Sequence, residues 1–555
     1  MSSSKVIDDG IPSSAGIHGG KRARELIPQI DHPKITKICC IGAGYVGGPT
    51  CSVIANKNPD IRVTIVDLSV ERIEAWQSND LPIHEPDLME VVQSARDNHE
   101  GRPANLFFST DIDTAIIDAD CIFVSVNTPT KSLGRGKGRA PEMSWFESAI
   151  RRIADVAASD KIIVEKSTVP VRTADNMREI LMANCRPGVK FEILSNPEFL
   201  AEGTAIKNLL EPDRILVGSL STEAGIRAAA SLVDVYAAWV PREKIITTSL
   251  WSSELAKLAA NCLLAQRISS INALSAICEQ TGANVSEVSR ACGLDARIGP
   301  KMLSASAGYG GSCFKKDILS MSYIAEALHL PEVAAYWKSI NDINEYQKDR
   351  FARRIVACLH HSLANKKIAV FGFAFKKDTG DVRESAAISI CHHLMMEGAD
   401  IGIYDPQAPE ENIRHELEAS CDDPRIVRER VKVYQTPYEA SQDAHAVVIV
   451  TEWDEFGNRT SAAPERSVAV STPPATPRRG TSETEKAFSV SLELEPAALK
   501  AKVDWEKVAR GMRKPMYVFD GRNMVEPRSL EDLGFQVEGI GMAGRGRRVV
   551  VDLDS

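Results

Sequence analysis

The sequence lacks the features of several classes of protein. Its 555 residues carry a net charge of −9, so they provide no basic field of the kind that nucleic-acid binding usually needs. No apolar run approaches the roughly 20 residues that span a bilayer. Residues 1–20 are rich in Ser and Gly and contain no apolar core of a secretory signal. We therefore expect a cytoplasmic protein that binds neither nucleic acid nor membrane.

The 12 cysteines lack the spacing of a metal-binding or redox motif. No two of them form a C-x-x-C pair, and several lie inside apolar segments. A chain of this length also needs no disulfide cross-links to hold its core. We expect nearly all of these cysteines to be buried free thiols of a reducing compartment, and we predict no metal site.

A chain of this length is expected to form more than one domain, because single cores seldom grow past roughly 250–300 residues. The 44% hydrophobic and 25% charged content is typical of a globular protein. Residues 1–34 are polar and predicted to be disordered, as is an insertion at 457–500 rich in Ser, Thr, Pro and charge. The insertion could instead carry phosphorylation sites or be a translated intron.

Two parts of the chain alternate apolar strands with helices, which indicates parallel sheets covered on both faces. Residues 37–41 and 62–67 begin this pattern, and residues 367–372 and 401–405 repeat it. Between the two parts, apolar residues recur at helical spacing from Trp251 to about residue 280. We predict an α/β fold with two Rossmann-like doubly wound domains, joined by a long central helix and a helical middle domain. The predicted domain ranges are 35–249, 250–365 and 366–555.

A dinucleotide-binding pattern follows the first strand. Gly42, Gly44 and Gly47 form G-x-G-x-x-G, and Asp67 ends the next strand. The glycines allow a tight turn and a close approach to pyrophosphate, and the helix N-terminus offers free N–H groups to it. Asp67 can accept hydrogen bonds from ribose hydroxyls and would repel a 2′-phosphate, so NAD is favoured over NADP. Arg72 either lies along the adenosine or is an exposed helix arginine.

Cys313 directly follows a glycine-rich run, Gly308–Ser312. Lys315, Lys316 and Asp317 come shortly after it. Glycines let the backbone come close to a ligand, and cationic neighbours favour the nucleophilic thiolate. A thiol next to a nicotinamide cofactor suggests oxidation through a covalent thioester. A buried structural cysteine is the alternative.

Further polar residues follow strands or share a helix face. Ligands of open α/β sheets gather at strand ends, where Glu198, Glu202 and Thr168 are found. The two glutamates could equally cap a helix start, and Thr168 could hold a water or cap the next helix. Lys257 and Asn261 are four apart on the long helix and share one face. Lys257 is either held in a site or extends to the surface.

The second α/β part replaces the short glycine turn with a longer polar loop, Phe373–Ser385, and Arg522 follows a later strand. Either could be a surface charge cluster by itself. Together, at the expected sheet edge, they favour a nucleotide-diphosphate ligand other than a dinucleotide.

These motifs resemble the UDP-glucose 6-dehydrogenase family of the animal and fungal type, over about residues 35–456 and 503–541. The resemblance implies oxidation of the C6 hydroxyl of UDP-glucose to a carboxylate, giving UDP-glucuronate with two NAD⁺ reduced. The matching segments are Gly42–Ser52, Ser167–Arg172, Asn196–Ala205, Trp251–Asn272, Gly308–Asp317 and Gly372–Ser385.

The resemblance also implies roles for the matching residues. Cys313 would be the nucleophile that forms a thiohemiacetal and then a thioester, Lys257 would stabilise negative charge on the C6 oxygen, and Asp317 would act as base. Glu198 and Thr168 match positions associated with catalysis and water ordering. The implied cofactor contacts are Gly42, Gly44, Tyr45, Val46, Gly47, Asp67, Arg72, Thr128, Glu202, Lys316 and Arg383. The implied substrate contacts are Phe199, Leu200, Lys257, Asn261, Arg297, Ser306, Tyr309, Gly310, Phe375, Lys376 and Arg522.

The resemblance further implies a homo-oligomer, dimeric or hexameric, in which Arg297 reaches the neighbouring subunit's substrate. Two local departures are Tyr309, where Phe is usual, and Lys301–Ser306 near the nucleotide. Three other functions are left open. They are a sister enzyme for GDP-mannose or a UDP-N-acetylhexosamine, an ordinary two-electron dehydrogenase, and a non-catalytic nucleotide-sugar-binding protein.

Overall fold

The computed structural model describes residues 31–98, 101–458 and 501–542. The disorder predicted for residues 1–34 and 457–500 falls almost entirely outside these ranges and stays a prediction, as do the domain boundaries. The predicted fold class is confirmed, because two α/β sheets flank a helical region within the described residues. In those same stretches, no helix combines the length and apolar composition that a membrane span requires.

The first part of the chain folds around an eight-stranded sheet. Its strands are β1 (Lys37–Ile41), β2 (Arg62–Val66), β3 (Leu106–Ser109), β4 (Cys121–Val124), β5 (Lys161–Glu165), β6 (Phe191–Ser195), β7 (Ile215–Ser219) and β8 (Ile245–Ser249). Its helices are α1 (Gly47–Lys57), α2 (Val70–Gln77), α3 (Leu88–Arg96), α4 (Ile112–Asp118), α5 (Ser144–Val156), α6 (Thr173–Asn184), α7 (Ala205–Leu210) and α8 (Glu223–Ala237), with a 3₁₀ turn at Arg242–Lys244.

The strand order is β3-β2-β1-β4-β5-β6-β7-β8, and β1 to β6 are parallel. The expectation of a parallel sheet is wrong for one pair, because β6 and β7 are antiparallel and meet at Ser195 and Gly218. One six-residue helix lies between them. The direction was not predictable, because a strand buried on both faces reads as a continuous apolar run whichever way it points. The pattern also did not indicate β3 and β8, which are short or half-exposed edge strands.

The helical region contains α9 (Leu250–Thr281), α10 (Val285–Gly293), α11 (Phe314–Ala327) and α12 (Pro331–Cys358). The side chain of Ser249 caps the first of these helices by accepting a hydrogen bond from the N–H of Ser252. Gly282 ends it with φ of +82°, close to the predicted end of the helical pattern near residue 280. At 32 residues, or about 48 Å, α9 is long enough to contact both α/β parts.

The second sheet has six parallel strands in the order β11-β10-β9-β12-β13-β14. They are β9 (Lys367–Phe371), β10 (Asp400–Tyr404), β11 (Val431–Val433), β12 (Ala446–Ile449), β13 (Tyr517–Asp520) and β14 (Gln536–Gly539). The helices of this part are α13 (Ala386–Met396), α14 (Glu410–Ser420), α15 (Pro424–Arg430), α16 (Pro437–Ser441), α17 (Trp505–Gly511) and α18 (Pro527–Glu531).

Both sheets are buried on their two faces, which explains why their strands read as continuous apolar runs. In β1, Cys40 belongs to one apolar cluster and its neighbour Cys39 to another. In β9, Ile368 and Ala369 divide in the same way. Because both faces are covered, the strand ends and the loops that follow them are where a ligand can reach the sheets.

The turn after β1 shows why its glycines differ in function. Gly42 has φ of +109°, and a Cβ there would lie 2.4 Å from the carbonyl oxygen of Ser125. A Cβ on Gly47 would lie 2.1 Å from the carbonyl oxygen of Gly42. A Cβ on Gly44 would meet nothing within 4 Å. Gly42 and Gly47 are therefore required by the fold, whereas Gly44 leaves open space in front of the helix.

We expect Gly47→Ala to lower the free energy of unfolding by about 1–3 kcal/mol, because its methyl group overlaps a backbone oxygen. Gly44→Ala is the matched control and should change that free energy by less than about 0.5 kcal/mol without nucleotide. Denaturant unfolding of both variants in the absence of NAD tests the difference. Equal stability of the two variants would contradict the packing described for this turn.

Candidate active site

The candidate site lies where loops of the three parts of the chain meet. The N–H of Gly311, in the cysteine loop, donates to the carbonyl of Arg383 at 3.1 Å. The ammonium of Lys316 donates to the carbonyl of Thr128, beyond the end of β4, at 3.4 Å. Arg383 also pairs with Glu202 at 3.5 Å. The sequence-predicted residues of all three parts are thus brought together.

Cys313 immediately precedes the first residue of α11 and its side chain is exposed. The loop before it is packed closely against the second α/β part. A Cβ on Gly310 would lie 2.6 Å from the carbonyl oxygen of Glu384, and one on Gly311 would lie 2.9 Å from the ring of Phe375. The two glycines therefore let the cysteine loop approach the opposite loop, and the N-terminal end of a helix faces the thiol.

Lys257, Asn261 and Asp317 form a buried polar group between α9 and α11. All three are less than a tenth exposed, and Asn261 Nδ2 donates to Asp317 Oδ2 at 2.6 Å. Lys257 Nζ lies 5.3 Å from the ring centroid of Phe199, on the loop after β6. The lysine is therefore held in the site and does not extend to the surface, which answers the question that the sequence left open.

Burial raises the pKa of Asp317, although the charges of Lys316 and Lys257 and the Asn261 hydrogen bond act against this. Its Oδ1 atom is buried and has no hydrogen-bond partner among the described residues. A carboxylate with a raised pKa and an unused oxygen is suited to accept a proton from a bound ligand.

Glu198 is also buried, but its surroundings favour the charged form. Its Oε2 atom lies 2.9 Å from Lys166 Nζ, and its Oε1 atom accepts hydrogen bonds from the N–H groups of Phe199 and Leu200. Burial acts to raise the pKa of Glu198, yet Lys166 and these hydrogen bonds lower it below its usual value. Lys166 was not selected from the sequence, because a lysine at a strand end gives no sign of the partner it will meet.

The surroundings of Glu202 raise its pKa, whereas those of Glu198 lower it. Burial and the nearby Asp381 raise the pKa of Glu202 to about 8, although Arg383 acts to lower it. The guanidinium of Arg383 makes hydrogen bonds of 2.5–3.0 Å to Asp381. Asp381 is a site residue that the sequence reasoning missed. Its position two residues before Arg383, in the loop already identified, was the available signal.

Thr168 and Thr128 are joined at the ends of β5 and β4. The hydroxyl of Thr128 donates to the carbonyl of Thr168 at 2.8 Å, and Thr128 is buried. Because Lys316 contacts the carbonyl of Thr128, this pair also connects the first sheet with the cysteine loop.

The turn after β1 fits a dinucleotide. Asp67 accepts hydrogen bonds from the N–H groups of Ala43 and Ser69, and it pairs with Arg72 at 3.0 Å. Burial acts to raise the pKa of Asp67, but these partners lower it below its usual value. Tyr45 and Val46 continue from the open space at Gly44 into α1. The structure thus provides a cradle and an ionised acid where NAD would lie.

The second α/β part contributes Phe375, Lys376 and Arg522. Arg522 donates to the carbonyls of Val450 and Phe375 at 2.6 and 3.2 Å, so it holds the two loops together. Lys376 Nζ lies 5.6 Å from the ring centroid of Phe375. A cation and a fixed guanidinium at the ends of strands can bind a phosphorylated ligand.

Two further predicted substrate contacts lie in the segment just before Cys313. Ser306 is buried, and its N–H donates to Asn272 at 2.8 Å. Tyr309 is buried as well, with its ring edge-to-face against Phe314. In contrast, the side chain of Arg297 is 89% exposed and pairs with Asp295. Arg297 is therefore not brought into the site within one chain.

The described residues contain no group of three or more His, Cys, Asp or Glu side chains that could hold a metal ion. The functional groups that do converge are a thiol, ammonium and guanidinium groups, and carboxylates. This set suits acid–base and nucleophilic chemistry on a bound ligand.

Family models of the UDP-glucose/GDP-mannose dehydrogenases match three successive stretches: the NAD binding domain over residues 36–240, the central domain over 251–346 and the UDP binding domain over 369–473. UDP-glucose 6-dehydrogenase of Drosophila melanogaster is 51% identical over 507 residues, covering 91% of this chain and 96% of that protein. UDP-glucose 6-dehydrogenase 5 of Oryza sativa subsp. japonica is 51% identical over 517 residues, covering 91% and 97%.

A solved structure of a UDP-glucose dehydrogenase from the archaeon Pyrobaculum islandicum is also similar, with 26% identity and a TM-score of 0.70. The aligned region covers 93% of this chain and 100% of the archaeal chain. The predictions of NAD as cofactor, of a dehydrogenase and of a nucleotide-binding second α/β part are confirmed by these matches. With three family domains in order and about half of its residues identical to those of plant and animal relatives, the chain belongs to the UDP-glucose/GDP-mannose dehydrogenase family, as an NAD-dependent enzyme.

Proposed function

We propose that the chain oxidises the C6 hydroxyl of UDP-glucose to a carboxylate, giving UDP-glucuronate, through covalent intermediates on Cys313. The observation that carries the proposal is the position of Cys313, one helical turn before the buried Asp317, in a loop bonded to the UDP-binding domain through Gly311 and followed by Lys316, which bonds to the NAD-binding domain. The relatives named UDP-glucose 6-dehydrogenase support the substrate.

In the first oxidation, Asp317 takes the proton of the C6 hydroxyl and Lys257 stabilises the negative charge that develops on its oxygen. The raised pKa of Asp317 suits it to this proton transfer. A buried ammonium is most effective in such a site because little water screens it. When bound, NAD⁺ accepts the hydride from C6 in each of the two oxidations.

The resulting aldehyde is attacked by the Cys313 thiolate, which forms a carbon–sulfur bond and gives a thiohemiacetal. Loss of a hydride from C6 and of the hydroxyl proton converts this adduct into a thioester. Water then breaks the carbon–sulfur bond, releasing the carboxylate and regenerating the thiol. Glu198 and Thr168 are assigned to ordering and activating this water, and Asp317 to accepting its proton.

We assign the remaining predicted contacts to the cofactor or to the substrate according to the part of the chain in which they lie. Cofactor contacts lie on the first domain, on Lys316 and on Arg383. Substrate contacts lie on the loop after β6, with Phe199 and Leu200, and on α9, with Lys257 and Asn261. The others are Ser306, Tyr309 and Gly310 before the thiol and, on the UDP-binding domain, Phe375, Lys376 and Arg522.

We expect two NADH per UDP-glucose from the wild-type protein, and a loss of about 10³-fold or more in overall turnover for Cys313→Ser. Cys292→Ser, which alters another exposed cysteine, is the matched control and should retain wild-type turnover. Absorbance of NADH with limiting UDP-glucose gives the stoichiometry. A yield of one NADH would favour an ordinary dehydrogenase, and full turnover by Cys313→Ser would exclude the thioester.

The alternative is a sister enzyme that oxidises GDP-mannose or a UDP-N-acetylhexosamine by the same chemistry. We expect kcat/KM for UDP-glucose to exceed that for each of these by about 10²-fold or more, since a misplaced acetamido group or base leaves buried polar groups unpaired. Initial rates with the purified sugar nucleotides test this. A preference for another sugar nucleotide would replace the substrate and keep the mechanism.

We further propose that the enzyme works in the cytoplasm as a homo-oligomer, dimeric or hexameric, in which Arg297 reaches the partner's substrate. The exposed apolar side chains of Leu294 and Ile298 beside Arg297 support an interface there.

This arrangement predicts complementation between two inactive variants. Arg297→Ala and Cys313→Ser should each be nearly inactive alone, because each removes one half of a shared site. Co-expression should restore activity in mixed oligomers, since a site with Cys313 from one chain receives Arg297 from the other. Activity no higher than the sum of the separate variants would show that Arg297 does not act between subunits.

A further inference from the structure

A lysine directly after β5 is buried beneath the candidate site and is not assigned to the reaction so far. The side chain of Lys166 is 2% exposed. Its Nζ atom lies 2.9 Å from Glu198 Oε2, 3.0 Å from Asn196 Oδ1 and 3.3 Å from the hydroxyl oxygen of Tyr236. An ammonium has three hydrogens, so these three acceptors use all of its donors.

The acceptors around Lys166 are themselves held in place. The hydroxyl of Tyr236 donates to Asn196 Oδ1 at 2.6 Å, and Asn196 Nδ2 donates to the carbonyl of Leu216 at 2.6 Å. The orientation of the ammonium is therefore fixed by the first sheet and α8. With no donor to spare, Lys166 is not suited to bind substrate, and it differs in this from Lys257.

Glu198 lies between this network and the site. Its side chain is 11% exposed, whereas that of Lys166 is 2% exposed, so the carboxylate keeps a side that water can reach. The remaining contacts of the carboxylate are the N–H groups of Phe199 and Leu200, and the hydroxyl of Thr50 at 3.4 Å.

Charged and titratable groups from each packed element face this pair. Tyr236 approaches from α8 and Lys257 from α9, while the thiols of Cys40 in β1 and Cys51 in α1 lie near the network. Burial raises the pKa of Tyr236, and a hydrogen bond with Cys51 together with burial raises the pKa of Cys40, so both groups favour their neutral forms. Lys166 is thus the cation in direct contact with Glu198, and Lys257 is the second, more distant one.

We propose that Lys166 is a positioning residue that keeps Glu198 ionised and oriented toward the water that hydrolyses the thioester. This inference rests on the proposed function, in which Glu198 activates that water. A carboxylate removed from solvent would otherwise take up a proton and lose the negative charge that orders and polarises the water, whose proton passes to Asp317. The contacts of Lys166 prevent this without placing a second cation in the path of the substrate.

The test is the pH dependence of kcat, because hydrolysis of the thioester follows both oxidations and kcat reports on groups in the enzyme-bound complexes. Lys166→Met should move the acidic limb upward by about one pH unit or more, because Glu198 must then ionise without its cation. Activity should fall near neutral pH and recover as the pH rises. Glu198→Gln should remove this part of the limb, and Lys166→Met should then cause no further shift in the double variant.

Lys161→Met is the matched control. Lys161 is a buried lysine at the opposite end of the same strand, and it donates to the carbonyls of Ile117 and Ala119. Its loss should lower stability but leave the pH profile unchanged. A Lys166→Met profile that coincides with the wild type would overturn the inference, as would an equal shift in Lys161→Met.

If Lys166→Met is too unstable for kinetics, the melting temperature of the Lys166→Met/Glu198→Gln double variant tests whether the two side chains are paired. Removing both charges should restore a melting temperature well above that of Lys166→Met, because no unpaired carboxylate is left buried. A double variant as unstable as Lys166→Met would overturn the pairing. The NADH yield of the wild type separates the two proposals: two NADH with an unshifted limb refutes only the role of Lys166, and one NADH refutes the thioester mechanism.

Discussion

The site depends on the close contact between the cysteine loop and the loop that follows β9. Gly310 and Gly311 lie against the carbonyl of Glu384 and the ring of Phe375, where no side chain fits, and the backbone of Gly311 bonds to that of Arg383. The thiol therefore takes its place only when the helical region and the UDP-binding domain are together. In the proposed reaction, a substrate held by its nucleotide in the UDP-binding domain would present its sugar to the thiol of the helical region, which is the positioning that the proposed attack on C6 needs.

Buried charge is the second constraint, and the structure meets it in two ways. Glu198 is paired with Lys166 and favours its ionised form. Asp317 has a hydrogen bond from Asn261 but no ion pair with an ammonium among the described residues, and burial raises its pKa. Lys257 influences both carboxylates. Two acids of similar chemistry are in this way given different proton affinities by their surroundings, which allows one to exchange protons and the other to stay charged.

The sequence was sufficient wherever a pattern is local. The turn at Gly42, the acid at Asp67 and the helix that ends at Gly282 follow from backbone geometry that neighbouring residues determine. Properties that depend on contacts between distant parts of the chain could not be predicted from the sequence. Lys166 meets Glu198 only because β5 and β6 are neighbours, and the apolar run of β7 does not reveal that the strand is antiparallel to β6. Arg297, assigned by resemblance, is exposed in the single chain, so its proposed contact with a second chain could be read neither from the pattern nor from one subunit.

The two sheets show how one turn can serve two ligands. In the first, the N–H of Gly42 bonds to Val66, and Asp67 accepts from the N–H of Ala43. In the second, the N–H of Gly372 bonds to Tyr404, and Asp405 accepts from the N–H groups of Phe373 and Ala374. The turn is the same, but Ala374 now stands where Gly44 leaves open space, and Asp405 also receives the indole N–H of Trp453. The methyl group of Ala374 thus fills the position that is open at Gly44, where a dinucleotide's pyrophosphate would lie. We therefore expect the longer loop with Lys376 to supply the phosphate contacts of this domain, which matches the family's UDP binding domain.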